Sequence, residues 1–197
     1  MSNPLTVGPD HWLSGARRRT SPNCDERPAN EISLLVIHGI SLPPGQFGDG
    51  LVDRLFSNTL DCSATPQLAD LAGVRVSAHV LIDRSGAINQ YVAFDKRAWH
   101  AGESCWRGRV NCNDFAVGIE LEGADDVAYA AAQYAALADV ADALFVRYPA
   151  LHLGSVVGHQ EVAPGRKTDP GASFDWSGFL AALSSRARRR VDVADRH

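Results

Sequence analysis

The clearest alternation of apolar and polar positions lies in "FAVGIELEG" (115–123). Phe115, Val117, Ile119 and Leu121 fall on one side, and Ala116, Gly118, Glu120 and Glu122 on the other. A period of two predicts a strand with one face in the core and one bordering a cleft or solvent. "ISLLVIHGI" (32–40) is instead a continuous, β-branched apolar run that ends in a histidine. That pattern suits a strand covered on both faces.

"VSAHVLIDRSGAINQYVAF" (76–94) reads as a hairpin turning at "DRSG", and "LGSVVGH" (153–159) as a short strand that also ends in a histidine. Helical spacing appears at Phe47, Leu51, Leu55 and Phe56, and a second short helix fits "TPQLADLAGV" (65–74). The strongest helix spans 125–149, with Tyr134, Leu137, Ala141, Leu144, Phe145 and Tyr148 as an apolar stripe that stops at Pro149. A last helix follows Asp175, its expected cap. Residues 1–30 read as an irregular surface segment and about 188–197 as a polar, frayed tail. The element order β-α-α-β-β-β-α-β-α predicts an α/β fold: one domain over 1–197, with a mixed central β-sheet flanked by helices.

Composition narrows the options. The chain has 197 residues and is 45% hydrophobic, enough for one sizeable core. A net charge of −4 offers no basic field for nucleic acid or an anionic membrane, so an anionic ligand must be caught locally. No apolar window approaches a membrane span and no signal-like h-region opens the chain, so the expected compartment is the cytoplasm. Cys24, Cys62, Cys105 and Cys112 form no CxxC pair and are expected as thiols; export would allow Cys105 to bridge Cys112.

Two stretches concentrate ionisable groups where neither period holds: 95–114, and "GHQEVAPGRKTDPG" (158–171). Long irregular segments in compact domains tend to carry function. His38 and His159 end strands, and Asp169 follows on the second loop. Two neutral imidazoles and a carboxylate suit a catalytic zinc with its fourth position open. His79 and His100 compete for the ligand role; His79, inside a strand, fits packing or outer-shell hydrogen bonding better, and His100 fits the wall of a cleft. Glu120 and Glu122 are both placed to serve as acid/base, with a solvated face as the plainer reading of Glu122. Lys167 reads either as a surface lysine or as an oxyanion partner.

"VIHGISLPPGQFG", "RVSAH", "YVAFDKRAWHAG", "CNDFAVGIELEG" and "GHQEVAPGRKTDPGASFDW" resemble the AmpD-type 1,6-anhydro-N-acetylmuramoyl-L-alanine amidases, zinc enzymes of bacterial cell-wall recycling. The likeness runs from about Trp12 to about Leu180. It implies the amidase/peptidoglycan-recognition fold, Zn2+ on His38, His159 and Asp169, Glu120 as catalytic acid/base and Lys167 as transition-state stabiliser. The implied reaction cleaves the amide between the lactyl group of the anhydro sugar and L-alanine of the stem peptide.

Arg75, Arg166, Trp99 and His100 are the expected substrate-binding residues, since a peptide with free carboxylates calls for local cations and an aromatic wall. Gly39 stands where the family often has asparagine, and Asn111 where it has arginine. The expected partner is an anhydromuramoyl peptide, with no nucleic acid and no membrane, for a monomeric protein. Two alternatives share the metal site: an exported amidase acting on intact peptidoglycan, and a non-catalytic muropeptide-binding module.

Overall fold

The computed structural model describes residues 4–194, and side-chain surroundings through residue 188. Ten strands follow the chain: β1 Arg17–Arg18, β2 Cys24–Glu26, β3 Leu34–Ile40, β4 Val80–Ile82, β5 Ile88–Gln90, β6 Lys96–Ala98, β7 Cys105–Trp106, β8 Arg109–Val110, β9 Ala116–Glu122 and β10 Val156–Gly158. Four α-helices accompany them: α1 Leu51–Phe56, α2 Ala131–Arg147, α3 His159–Val162 and α4 Trp176–Ala194.

Six strands form one sheet in the order β1-β5-β4-β9-β3-β10. Only the β4–β5 hairpin is antiparallel; every other neighbouring pair in it is parallel. The sheet is therefore mixed, as expected.

All seven residues of β9 are buried, because both faces are covered. Val117, Ile119 and Leu121 join Leu35 and Ile37 against Leu137, Leu144, Phe179 and Leu183 of α2 and α4. The opposite face is closed by loops: Leu34, Val36 and Ala116 meet Ala101, Cys112, Phe115 and Val162. Phe115 thus lies just outside β9 and on the side opposite Val117, contrary to the simple alternation. A third apolar cluster joins Val52, Leu55 and Phe56 of α1 to Leu68, Leu81 and Tyr91.

Several elements differ from expectation. The N-terminal segment supplies two strands, β1 at the edge of the main sheet and β2 paired with β6. The stretch at 65–74 forms a 3-10 helix, Pro66–Leu71. α2 begins at Ala131, later than its apolar content suggests, because Ala130 is extended and its N–H is taken by Gln133 Oε1 at 3.0 Å. Asp175 caps α4 as expected, accepting from Gly178 N at 2.9 Å. Backbone helix continues through most of the expected tail, to Ala194; residues 195–197 lie outside the described residues.

Candidate metal centre and active site

Register explains why three distant residues meet. β3 and β9 are parallel and pair His38 with Glu120, while Ile37 pairs with Gly158 of β10. His38, Glu120 and His159 therefore line up across adjacent C-terminal strand ends, where open α/β sheets build sites. His159 is the first residue of α3, one step past its strand, and the following loop returns so that Gln160 N bonds Asp169 O at 3.0 Å.

Three donor atoms converge. His38 Nδ1 lies 3.0 Å from His159 Nδ1 and 3.3 Å from Asp169 Oδ2, and His159 Nδ1 is 3.0 Å from that same oxygen. The far nitrogens are engaged elsewhere: His159 Nε2 at 3.2 Å from Ala101 O, and His38 Nε2 at 3.0 Å from His100 Nδ1. A ring that donates from Nε2 presents a lone pair at Nδ1. Two such lone pairs and a carboxylate oxygen at these distances repel one another unless a cation stands among them, so the donor set fits a metal. Burial presses the pKa of His38 down to about 4, which keeps the ring neutral. Burial also works against ionised Asp169, but its contacts with His159 and His38 outweigh it and hold the carboxyl far below the usual range.

Glu120 lies beside this cluster, 8% exposed, with Oε1 4.0 Å from His38 Nδ1 and Oε2 without a hydrogen-bond partner. Burial first, and the charge of Asp169 second, push its pKa well above the ordinary carboxylate range, while Lys167 pulls the other way. A cavity of about 230 Å³ opens over Glu120, His159, Asp169, Lys167, Trp99 and His100, and its far wall is apolar. The solvated reading of Glu122 is overturned. It is 7% exposed, and its oxygens accept from Gly48 N at 2.5 Å and Arg84 N at 3.3 Å.

The other candidates divide. Trp99, His100 and Lys167 line the cavity. Val74 and Val76 also line it, while Arg75 between them is exposed and reaches only the carbonyl of Val74. Arg166 binds the carbonyls of Ala101 and Glu103, each at 2.5 Å, and borders a neighbouring cavity with Asn111. The His100 ring lies so close over β9 that a Cβ at Gly118 would overlap it. Gly39 has a similar reason: the Tyr129 hydroxyl fills the place of a side chain and donates to Pro170 O at 2.9 Å. All four cysteines are free.

Sequence reasoning missed Arg27 and Asn113. Arg27, 8% exposed, donates to the carbonyls of Phe94, Asn113 and Ala116, and burial lowers its pKa to about 10. Its only sequence signal was an arginine in an irregular segment, which ordinarily marks a surface.

The sheet carries at its edge a His–His–Asp cluster able to hold a metal, and comparison identifies the class as an amidase. A family model described as N-acetylmuramoyl-L-alanine amidase matches residues 28–172. The chain belongs to that family. Within it, the chain is 55% identical to the 1,6-anhydro-N-acetylmuramyl-L-alanine amidase AmpD of Citrobacter freundii over 181 residues, 91% of this chain and 96% of that protein. AmpD of Escherichia coli strain K12 is also 55% identical, over 88% of this chain and 94% of its own length. A crystal structure of an AmpD derivative superposes with a TM-score of 0.86 at 56% identity, covering 88% of this chain and 97% of that one. AmiD of E. coli, solved with anhydro-N-acetylmuramic acid-L-Ala-D-γ-Glu-L-Lys, gives a TM-score of 0.57 at 29% identity and covers 91% of this chain and 65% of that one.

Proposed function

We propose that this chain is a zinc-dependent hydrolase of the amide between the lactyl group of 1,6-anhydro-N-acetylmuramic acid and L-alanine of the stem peptide, working in the cytoplasm in cell-wall recycling. The observation that carries the reading is the convergence of His38 Nδ1, His159 Nδ1 and Asp169 Oδ2 beside a buried carboxyl with a free oxygen. Near-full-length similarity to AmpD supports the substrate class, and four free thiols suit a reducing compartment. Among the described residues, no helix is long and apolar enough to cross a membrane.

Zinc suits the donor set, since tetrahedral bonds of about 2.0–2.2 Å separate ligands by roughly 3.3–3.6 Å, close to the spacing here. His38, His159 and Asp169 would hold the zinc, which would supply Lewis-acid polarisation of the scissile carbonyl and a lowered water pKa. Glu120 takes the proton of the attacking water on its carboxylate and delivers it to the leaving alanine nitrogen. A pKa raised by burial fits both halves of that exchange. Lys167, on the rim of the same cavity, offsets the charge that builds on the carbonyl oxygen. Trp99 supplies the aromatic wall and His100 borders the cleft; Arg75 and Arg166, which lie outside the lining of this cavity, are the cations proposed to meet substrate carboxylates.

The test is mass spectrometry of products after zinc-loaded protein meets anhydromuramoyl tripeptide and, separately, intact peptidoglycan. Free tripeptide plus anhydro sugar, with little release from the wall, is the expected result. Efficient release from intact wall would point instead to an exported lytic amidase, and no product from either to a binding module.

A further inference from the structure

The far nitrogens of both histidine ligands end on two consecutive loop residues. His38 Nε2 lies 3.0 Å from Nδ1 of His100, and His159 Nε2 lies 3.2 Å from the carbonyl of Ala101, to which it donates. The amides of the same two residues point the other way and share one acceptor: Asn113 Oδ1 takes His100 N at 3.2 Å and Ala101 N at 2.8 Å. Asn113 is itself fixed, since its carbonyl accepts from buried Arg27 Nη1 at 2.9 Å. Arg27 also binds Ala116 O of β9 at 2.8 Å, so the clamp is anchored to the strand that carries Glu120.

We infer that Asn113 is a positioning residue for the metal: by holding the His100–Ala101 dipeptide it sets the tautomer and ring plane of His38 and His159 together. The inference rests on the metal reading above. A histidine ligand free to rotate or change tautomer must be ordered when the ion binds, and outer partners of this kind typically alter metal affinity 10–100-fold. Asn113 reaches neither the cavity nor the donor atoms, so its effect passes entirely through the dipeptide. Both lone pairs of its side-chain oxygen are used, whereas no bond from its side-chain nitrogen is needed; an aspartate would keep the acceptor and a leucine of similar size would not.

The experiment measures Zn2+ affinity by chelator competition, and the visible spectrum of the Co2+ form, for the unsubstituted protein, Asn113→Leu and Asn113→Asp. Asn113→Leu is expected to weaken zinc binding about 10–100-fold and to change the cobalt bands, with Asn113→Asp restoring both. Unchanged affinity and spectrum in Asn113→Leu, or an Asn113→Asp protein as impaired as the leucine variant, would overturn the positioning role while leaving the metal reading intact. An unsubstituted protein that bound neither ion would overturn both. Because the leucine variant can fail to fold, the smaller Asn113→Ala change gives a second reading: it is expected to weaken zinc binding about 10–100-fold as well, and an Asn113→Ala protein that binds zinc as tightly as the unsubstituted one would overturn the inference.

Discussion

Glu120 and Glu122 sit two residues apart on one face of one strand, yet the chain gives them opposite work. Glu122 has both oxygens committed to backbone amides, while Glu120 keeps Oε2 free and buried. A buried carboxyl oxygen without a partner is costly to retain, and its cost here falls beside the three converging donors. Replacing Glu120 by Ala is expected to lower kcat by about 10²–10⁴-fold while zinc content stays the same, since Glu120 is outside the ligand set. Metal analysis and rate on one sample check this; unchanged turnover would move the proton transfer elsewhere. Replacing Lys167 by Ala should lower kcat by roughly 10²–10³-fold, the scale for loss of one stabiliser of an oxyanion. From alternation alone the two glutamates were equivalent, and only family resemblance chose between them. What separates them physically is the turn at Arg84 and the loop at Gly48, both remote in sequence, which close over Glu122 and stop short of Glu120.

At the scale of elements, the site depends on parallel neighbours ending together. β3, β9 and β10 stop at one edge, and the loops at 41–50 and 163–170 bring Leu42, Lys167 and Asp169 to the cavity there. Glu122 ties the first of these loops to β9 through Gly48 N. Removing that acceptor in Glu122→Ala should destabilise the fold by about 1–3 kcal/mol and speed hydrogen exchange at the Gly48 amide, with zinc affinity unchanged. Unaltered exchange at Gly48 would mean that other contacts hold the loop. β3 and β9 were legible because each runs seven residues, long enough for a continuous apolar run to show in the first and an alternation of period two in the second. β1, β2, β7 and β8 are strands of two or three residues, too short for any period to show. The start of α2 was misplaced because its N-terminal signal was not apolar spacing. Gln133 marks it, binding Ala130 N through Oε1 while Nε2 donates to Ile82 O and Glu122 O in the sheet.

The whole molecule keeps titratable side chains in its interior, among them Arg27, His38, His79, Glu120 and His159. His79 is fully buried and wedged among Arg27, His100, Phe94, the carbonyl of Lys96 and the amide of Gly118. Gly118 N donates to its Nδ1 at 3.0 Å, so its proton sits on Nε2 and faces Lys96 O at 3.0 Å. Burial above all, and the neighbouring Arg27 charge next, lower its pKa from 6.5 to about 3. The unfolded chain therefore binds a proton between those values that the folded chain refuses. Stability from this residue is complete above the unfolded pKa and is lost as the pH falls through the window toward 3, by up to about 1.4 kcal/mol per pH unit. Glu120, whose pKa is raised on folding, acts with the opposite sign, so the residue's share must be isolated by comparison. Denaturant unfolding of the metal-free protein and of His79→Asn across pH 4–6 does so: the unsubstituted protein should lose stability more steeply on acidification, by about 1.4 kcal/mol per unit. Parallel slopes would show that His79 is already protonated in the fold, which would require the Arg27 guanidinium at 3.1 Å to move away from it.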